Sequence, residues 1–132
     1  MNKYQFSGRW ILIVAALYGA IALVLSASSA HALKALVGAE DLARIQTANQ
    51  YLMYYALLLL VLGLGYRLGL SGLQRVAAVF TAGSSVFCGS LYILGFTKIS
   101  NFAWLVPLGG LLLLAGWLLL GWTAWRQGKA DD

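Results

Sequence analysis

Carboxylates are nearly missing from this chain. Its 132 residues include four, Glu40, Asp41, Asp131 and Asp132, and none falls inside a long apolar run. Without an interior acid there is no obvious carboxylate proton relay or cation-coupling site, which argues against a small multidrug-type exchanger. A single cysteine, Cys88, excludes an intrachain disulfide, and with a single histidine, His31, it cannot assemble a Cys/His metal site. There is no Ser/His/Asp set, no glycine-rich phosphate loop and no metal-ligand spacing, so neither an enzyme nor a bound cofactor or metal is expected. Charge of either sign is scarce at 10%, against about 25% in an average soluble domain.

The excess is in hydrocarbon. Hydrophobic residues make up 61% of the chain, and a single domain of this length, residues 1–132, has no interior large enough to hide them. The bilayer is the expected solvent. The net charge of +5 comes from cations spread between apolar segments, with no basic run. They read as topology signals and lipid-headgroup contacts rather than as a nucleic-acid surface.

Four apolar runs, at about residues 10–30, 48–66, 76–96 and 102–125, are each close to the roughly 20 residues needed to span. The first ends in Ser26-Ala27-Ser28-Ser29-Ala30 and so imitates a secretory signal with small residues at the cleavage positions. Extended through Ala30 it reaches spanning length, and we read it as a span with Ala15, Gly19, Ala22 and Ser26 as its small stripe. Between the first and second runs, Leu33, Leu36, Val37, Leu42 and Ile45 recur at helical spacing among charged residues, which predicts a short interfacial helix with Gly38 as a break. Trp104 and Trp125 lie 21 residues apart, about 31 Å along a helix, and look like the two interfacial anchors of the fourth span. The predicted fold is an all-α membrane protein, four transmembrane helices in an up-down bundle. Lys3, Arg9, Arg67, Arg75, Arg126 and Lys129 fall on one side of it and Lys34, Arg44 and Lys98 on the other, which places both termini in the cytoplasm.

The third run sorts its residues by size. At 100° per residue, Thr81, Ser85, Cys88 and Tyr92 fall within roughly a 60° arc, flanked by Ala77, Ser84 and Gly95 and by Ala78 and Gly89. Val79, Phe80, Val86, Phe87, Ile93 and Leu94 lie opposite, which predicts that the small face meets helices and the bulky face meets lipid.

Few residues could carry chemistry. His31, at the outer end of the first span, reads as a proton-handling or ligand-binding group or, more conventionally, as an interfacial histidine bonded to a helix end. Tyr51, Tyr54, Tyr55 and Tyr92 could line a small polar pocket or stack on a quinone-like ring, although aromatics at that depth more often form the interfacial belt. Pro107, Gly109 and Gly110, early in the fourth span, predict a kink or a close helix contact, with Gly116 and Gly121 continuing the packing role.

Taken together, Ala30-His31-Ala32-Leu33-Lys34, Thr47-Ala48 followed by Tyr51 and Met53-Tyr54, Cys88-Gly89-Ser90-Leu91-Tyr92, and Pro107-Leu108-Gly109-Gly110 with Gly116-Trp117 form a distinctive series. On these motifs the chain resembles the domain-of-unknown-function 423 family, small bacterial inner-membrane proteins similar to the eukaryotic transmembrane protein 256. The resemblance runs from about residue 10 to residue 122 and implies a four-helix protein of the bacterial inner membrane, with nothing catalytic. The chain departs from the family pattern at Ser26, Ser29, Leu52, Tyr55, Cys88 and Val106.

With both termini inside, all four signature stretches fall in the outer half of the bilayer. The expected site is therefore a weakly polar niche for a ligand or partner, drawn from His31, Tyr51, Tyr54, Tyr55, Ser85, Cys88, Gly89, Ser90, Tyr92, Pro107, Gly109 and Gly110. The expected task is non-enzymatic: association with membrane lipids, with a larger membrane complex or with further copies of itself. A small pore or carrier for a neutral solute, and a quinone-binding accessory to a redox complex, are the alternatives.

Overall fold

The computed structural model describes residues 3–131, with side chains described from Gly8 to Lys129; those of Lys3, Asp131 and Asp132 lie outside that range. The elements in order are α1 (Lys3–Ala30), α2 (Ala32–Leu36), α3 (Ala39–Arg67), α4 (Leu73–Thr97), a single 3-10 turn at Ser100–Phe102, and α5 (Leu105–Asp131). No strand occurs among the described residues. The four long helices are each long and apolar enough to cross a membrane. Leu17, Leu23, Val24, Leu111 and Leu118 all point outward, a cost in water but no cost in lipid.

Each helix ends for a local reason. Val37 is extended and Gly38 caps α3, whose first turn carries Glu40 and Asp41, negative charges placed at the positive end of the helix dipole. Gly69 and Gly72, with φ of 97° and 82°, turn the chain between α3 and α4 where a side chain would be strained. Lys98 closes α4 in a left-handed conformation, its N–H bonded to the Leu94 carbonyl.

The interfacial helix is present as α2, and Gly38 does separate it from α3. Leu42 and Ile45, however, belong to the opening turns of α3, which runs without interruption from Ala39 into the second apolar run. Ile45 is fully buried there, so tertiary packing rather than headgroup contact uses that part of the pattern.

The helices alternate in direction and pack in the order α1, α3, α4, α5. Half of the apolar window of α3 is buried and 44% of that of α4, against 17% for α1 and α5, so the middle pair is enclosed and the outer pair faces lipid. On α1 the buried positions among the described side chains are Gly8, Ile11, Ala15, Ala22 and Ser29, while Ser26 is exposed. The core has two parts: Ile11, Leu59, Val76, Phe80 and Leu113 toward the end that carries both termini, and Ala22, Ala48, Leu52, Cys88 and Leu91 toward the α2 end.

Two expectations need correction. Phe80, expected on a lipid-facing surface, is completely buried, because α4 lies between α3 and α5 and needs two packed faces rather than one. The bulky residue fits because Gly116 of α5 leaves room: a Cβ there would come within 2.7 Å of the Phe80 ring. Pro107 breaks no intrahelical hydrogen bond. It stands in the first turn of α5, where a backbone N–H has no intrahelical acceptor to lose, and the helix continues to Asp131. Gly109 does make the close contact, since a Cβ on it would lie 2.5 Å from the Phe87 backbone nitrogen, whereas Gly110 and Gly121 would meet nothing within 4 Å.

Candidate functional site

Hydroxyl and amide groups inside the bundle form links at three levels, each joining a different set of helices. Nearest the α2 end, the Tyr92 hydroxyl of α4 donates to Asn49 Oδ1 of α3 at 2.7 Å. Asn49 Nδ2 donates to Ser29 Oγ of α1 at 3.3 Å, and the Ser29 hydroxyl donates to the Leu25 carbonyl at 2.7 Å. One relay thus crosses three helices. Asn49 is 3% exposed, so an unbonded amide there would be costly in hydrocarbon, and both of its polar atoms are used.

Deeper in the bundle, Tyr18 of α1 reaches α4. Its hydroxyl donates to the Thr81 carbonyl at 3.0 Å, lies 2.5 Å from Ser85 Oγ and accepts from Ser84 Oγ at 3.2 Å. At the third level Trp117 Nε1 of α5 donates to the Tyr55 hydroxyl of α3 at 3.2 Å, with the Phe80 ring packed against both. Thr81 Oγ1 is buried without a partner.

Beside the first relay a cleft of about 260 Å³ opens between α1 and α3. Ser26, Ser29 and Ala30 form one wall, and Gln46, Asn49 and Gln50 the other. The polar side chains of the cleft carry no formal charge; with Ser29 and Asn49 engaged in the relay and Gln50 donating to Tyr54, Ser26 and Gln46 present its remaining donors and acceptors, a surface suited to esters, hydroxyls or amides rather than to ions. Closer to water, Arg44 pairs with Glu40 at 2.6 Å and Asp41 at 2.9 Å, and Lys98 approaches Asp41 at 3.8 Å, fastening the start of α3 to the end of α4.

The twelve residues singled out from sequence occupy several surroundings. Tyr92 is in the first relay, Ser85 meets Tyr18, and Tyr55 meets Trp117. Cys88 sits in the α2-end core, 1% exposed. Ser90 donates to the Val86 carbonyl of its own helix. The Tyr51 ring packs against Phe87 and Tyr54, and the Tyr54 hydroxyl accepts from Gln50. Gly109 fits against Phe87, while Gly89 and Gly110 have open space where a side chain would be. Pro107 is exposed. His31 is exposed at the turn between α1 and α2, with no side-chain cap bond, apart from the relay.

Asn49 and Tyr18 are not singled out by the sequence pattern, and Ser84 is marked there only as a flank of the small face. Asn49 lies where the polar connection passes into the second apolar run, three residues before Leu52 and seven before Ala56, both buried, so it shares their face. Tyr18 is three residues after Ala15 and four before Ala22, on the packed stripe of α1. A polar residue at the spacing of the small stripe is the available signal in both cases.

Among the described residues no group of three or more His, Cys, Asp or Glu could hold a metal ion. Four membrane-length helices tied by internal hydroxyl and amide bonds define a polytopic α-helical membrane protein. The family described as protein of unknown function, DUF423, matches residues 25–110, and the chain belongs to it. It is 36% identical to the UPF0382 inner membrane protein YgdD of Escherichia coli strain K12 over 86% of this chain and 88% of that protein. It is 30% identical to a UPF0382 membrane protein of Haemophilus influenzae over 96% of each, and 34% identical to YwdK of Bacillus subtilis over 83% of this chain and 90% of that one. No solved structure matches the chain.

Proposed function

We propose that this protein is a non-enzymatic, lipid-associated component of the bacterial inner membrane, with both termini in the cytoplasm. The inner-membrane placement rests on the naming of the Escherichia coli relative, and the orientation on the excess of cations at the terminal end. The observation that carries the association reading is the uncharged cleft between the end of α1 and the first turns of α3. Its amides and hydroxyls match the glycerol-ester region of a phospholipid. Other copies or a larger membrane complex would dock through the same helix faces.

The pore reading has less support, because Leu59, Val76, Phe80 and Leu113 fill the terminal half of the interior of a single copy. The quinone reading would need Tyr92, Tyr54 and His31 side by side, whereas Tyr92 is bonded to Asn49, Tyr54 to Gln50, and His31 faces outward.

Purification in mild detergent followed by mass spectrometry of the intact assembly tests the reading. Gln46→Leu with Gln50→Leu should reduce retained phospholipid by about thirtyfold, since two hydrogen-bonding side chains are lost at about 1 kcal/mol each. Leu118→Ala, on the exposed face of α5, should leave retention unchanged. Equal retention in all three proteins, or a stoichiometric protein in place of lipid, would overturn it.

A further inference from the structure

The two ends of the bundle differ in chemistry, and the end that carries the termini holds a cavity of its own. The short loop after α3 brings Ser71, Gly72 and Arg75 against the last turns of α5, where Gln127 donates its side-chain N–H to the Ser71 carbonyl. A Cβ at Gly72 would lie 2.9 Å from Thr123 Cγ2, so the loop approaches the helix closely. Between them is a cavity of about 380 Å³, with Arg75 and Arg126 at its rim, Trp122, Thr123 and Gln127 along its wall, and Leu119 on the membrane side.

Among the described side chains, those lining the cavity carry charge of one sign. Among the described side chains neither Arg75 nor Arg126 has an ion-pair partner. Glu40 and Asp41 lie at the opposite end of the bundle and are engaged by Arg44 and Lys98. Arg9, Arg67 and Lys129 add further positive charge at the terminal end. The Thr123 hydroxyl is spent on the Leu119 carbonyl, which leaves the two guanidinium groups as the principal donors. Guanidinium is the side chain best shaped to hold a phosphate through paired N–H bonds.

We propose that this cavity binds the phosphate of an anionic phospholipid. A phosphate group is the shared chemistry of two sources, a lipid headgroup and a free phosphate in water. The lipid is favoured because the cavity is cationic at the rim but apolar at Leu119, and because Trp122 and Trp125 place it at the level of an aromatic belt. A zwitterionic lipid would bring its own cation toward Arg75 and Arg126 and bind less well. This site is separate from the cleft at the α2 end and does not depend on it.

The test uses the full chain in nanodiscs of phosphatidylcholine with a minority of phosphatidylglycerol, reading retained lipid by native mass spectrometry. Arg75→Gln with Arg126→Gln should weaken phosphatidylglycerol retention by about thirtyfold, from about fivefold per cation, and leave phosphatidylcholine unchanged. Arg9→Gln with Arg67→Gln removes the same charge from the same end outside the cavity, and should cost less than about threefold. Equal losses in the two double variants would overturn the site in favour of general surface charge, as would no loss in either. Millimolar inorganic phosphate should fail to displace the lipid from wild type; displacement would reassign the cavity to a free phosphate. Unchanged thermal unfolding of both double variants in lipid-free detergent should accompany the expected result. Destabilisation of the cavity variant alone would make Arg75 and Arg126 structural and overturn the proposal.

Discussion

Tyr92 and Asn49, 43 positions apart, meet across α3 and α4 with the phenol donating to the amide oxygen at 2.7 Å. The contact places a hydrogen bond where hydrocarbon offers no substitute, and the Asn49 amide extends it to α1 through Ser29. Tyr92→Phe should therefore destabilise the bundle by about 1 kcal/mol, within the range measured for hydrogen bonds between membrane helices. Asn49→Ala should cost more, because it strands the Tyr92 hydroxyl and removes the amide link to Ser29. A double-mutant cycle read by reversible unfolding in mixed micelles should give a coupling of roughly 0.6–1.5 kcal/mol. Strict additivity of the two substitutions would show that the pair does not interact.

Adjacent glycines give a sharper contrast. Gly109→Ala would drive its methyl toward the Phe87 backbone at 2.5 Å, and backbone cannot step aside without parting α4 from α5. The expected cost is about 2 kcal/mol or more. Gly110→Ala meets nothing within 4 Å and should be neutral or slightly stabilising, since alanine is the better helix former. Thermal unfolding of the two variants in detergent checks this, and similar losses from both would contradict the α4–α5 register.

How far the sequence carries the structure can be seen in α4. The number, order and alternation of helices follow from hydropathy and from turn residues such as Gly69 and Gly72. Of the arc of Thr81, Ser85, Cys88 and Tyr92, Cys88 is buried, Ser85 and Tyr92 bond to other helices, and Ser85 is nevertheless exposed at the edge of the packed surface. The burial of Phe80 is hidden, because a wheel shows which residues differ in size but not how many neighbours the helix has. A glycine on another helix, Gly116, supplies the space that accommodates the ring. Asn49 is hidden by its place at the seam between a polar connection and an apolar run, which the structure makes one continuous helix. The site residues named from sequence lie mostly on the signature motifs, and several of the polar ones, Tyr55, Ser85 and Tyr92 among them, turn out to be occupied with holding helices together.

The charged fastening at the α2 end should be salt-sensitive. Asp41 faces Arg44 at 2.9 Å and Lys98 at 3.8 Å, with the Lys98 side chain 73% exposed, so solvent weakens much of the attraction. Asp41→Asn is expected to cost about 0.5–1 kcal/mol at low ionic strength and less at about 1 M salt. Unfolding measured at both salt concentrations separates the charge from the side chain's packing, since a loss independent of salt would assign the effect to packing alone.

Accessibility of single cysteines tests the four-crossing arrangement most directly. In a Cys88→Ala background, Ser71→Cys reports the loop between α3 and α4, and Ser100→Cys the loop between α4 and α5. A membrane-impermeant maleimide should label Ser100→Cys in intact cells freed of their outer barrier. It should label Ser71→Cys only after the membrane is opened. Labelling of both from the same side would remove a crossing between them and contradict the account.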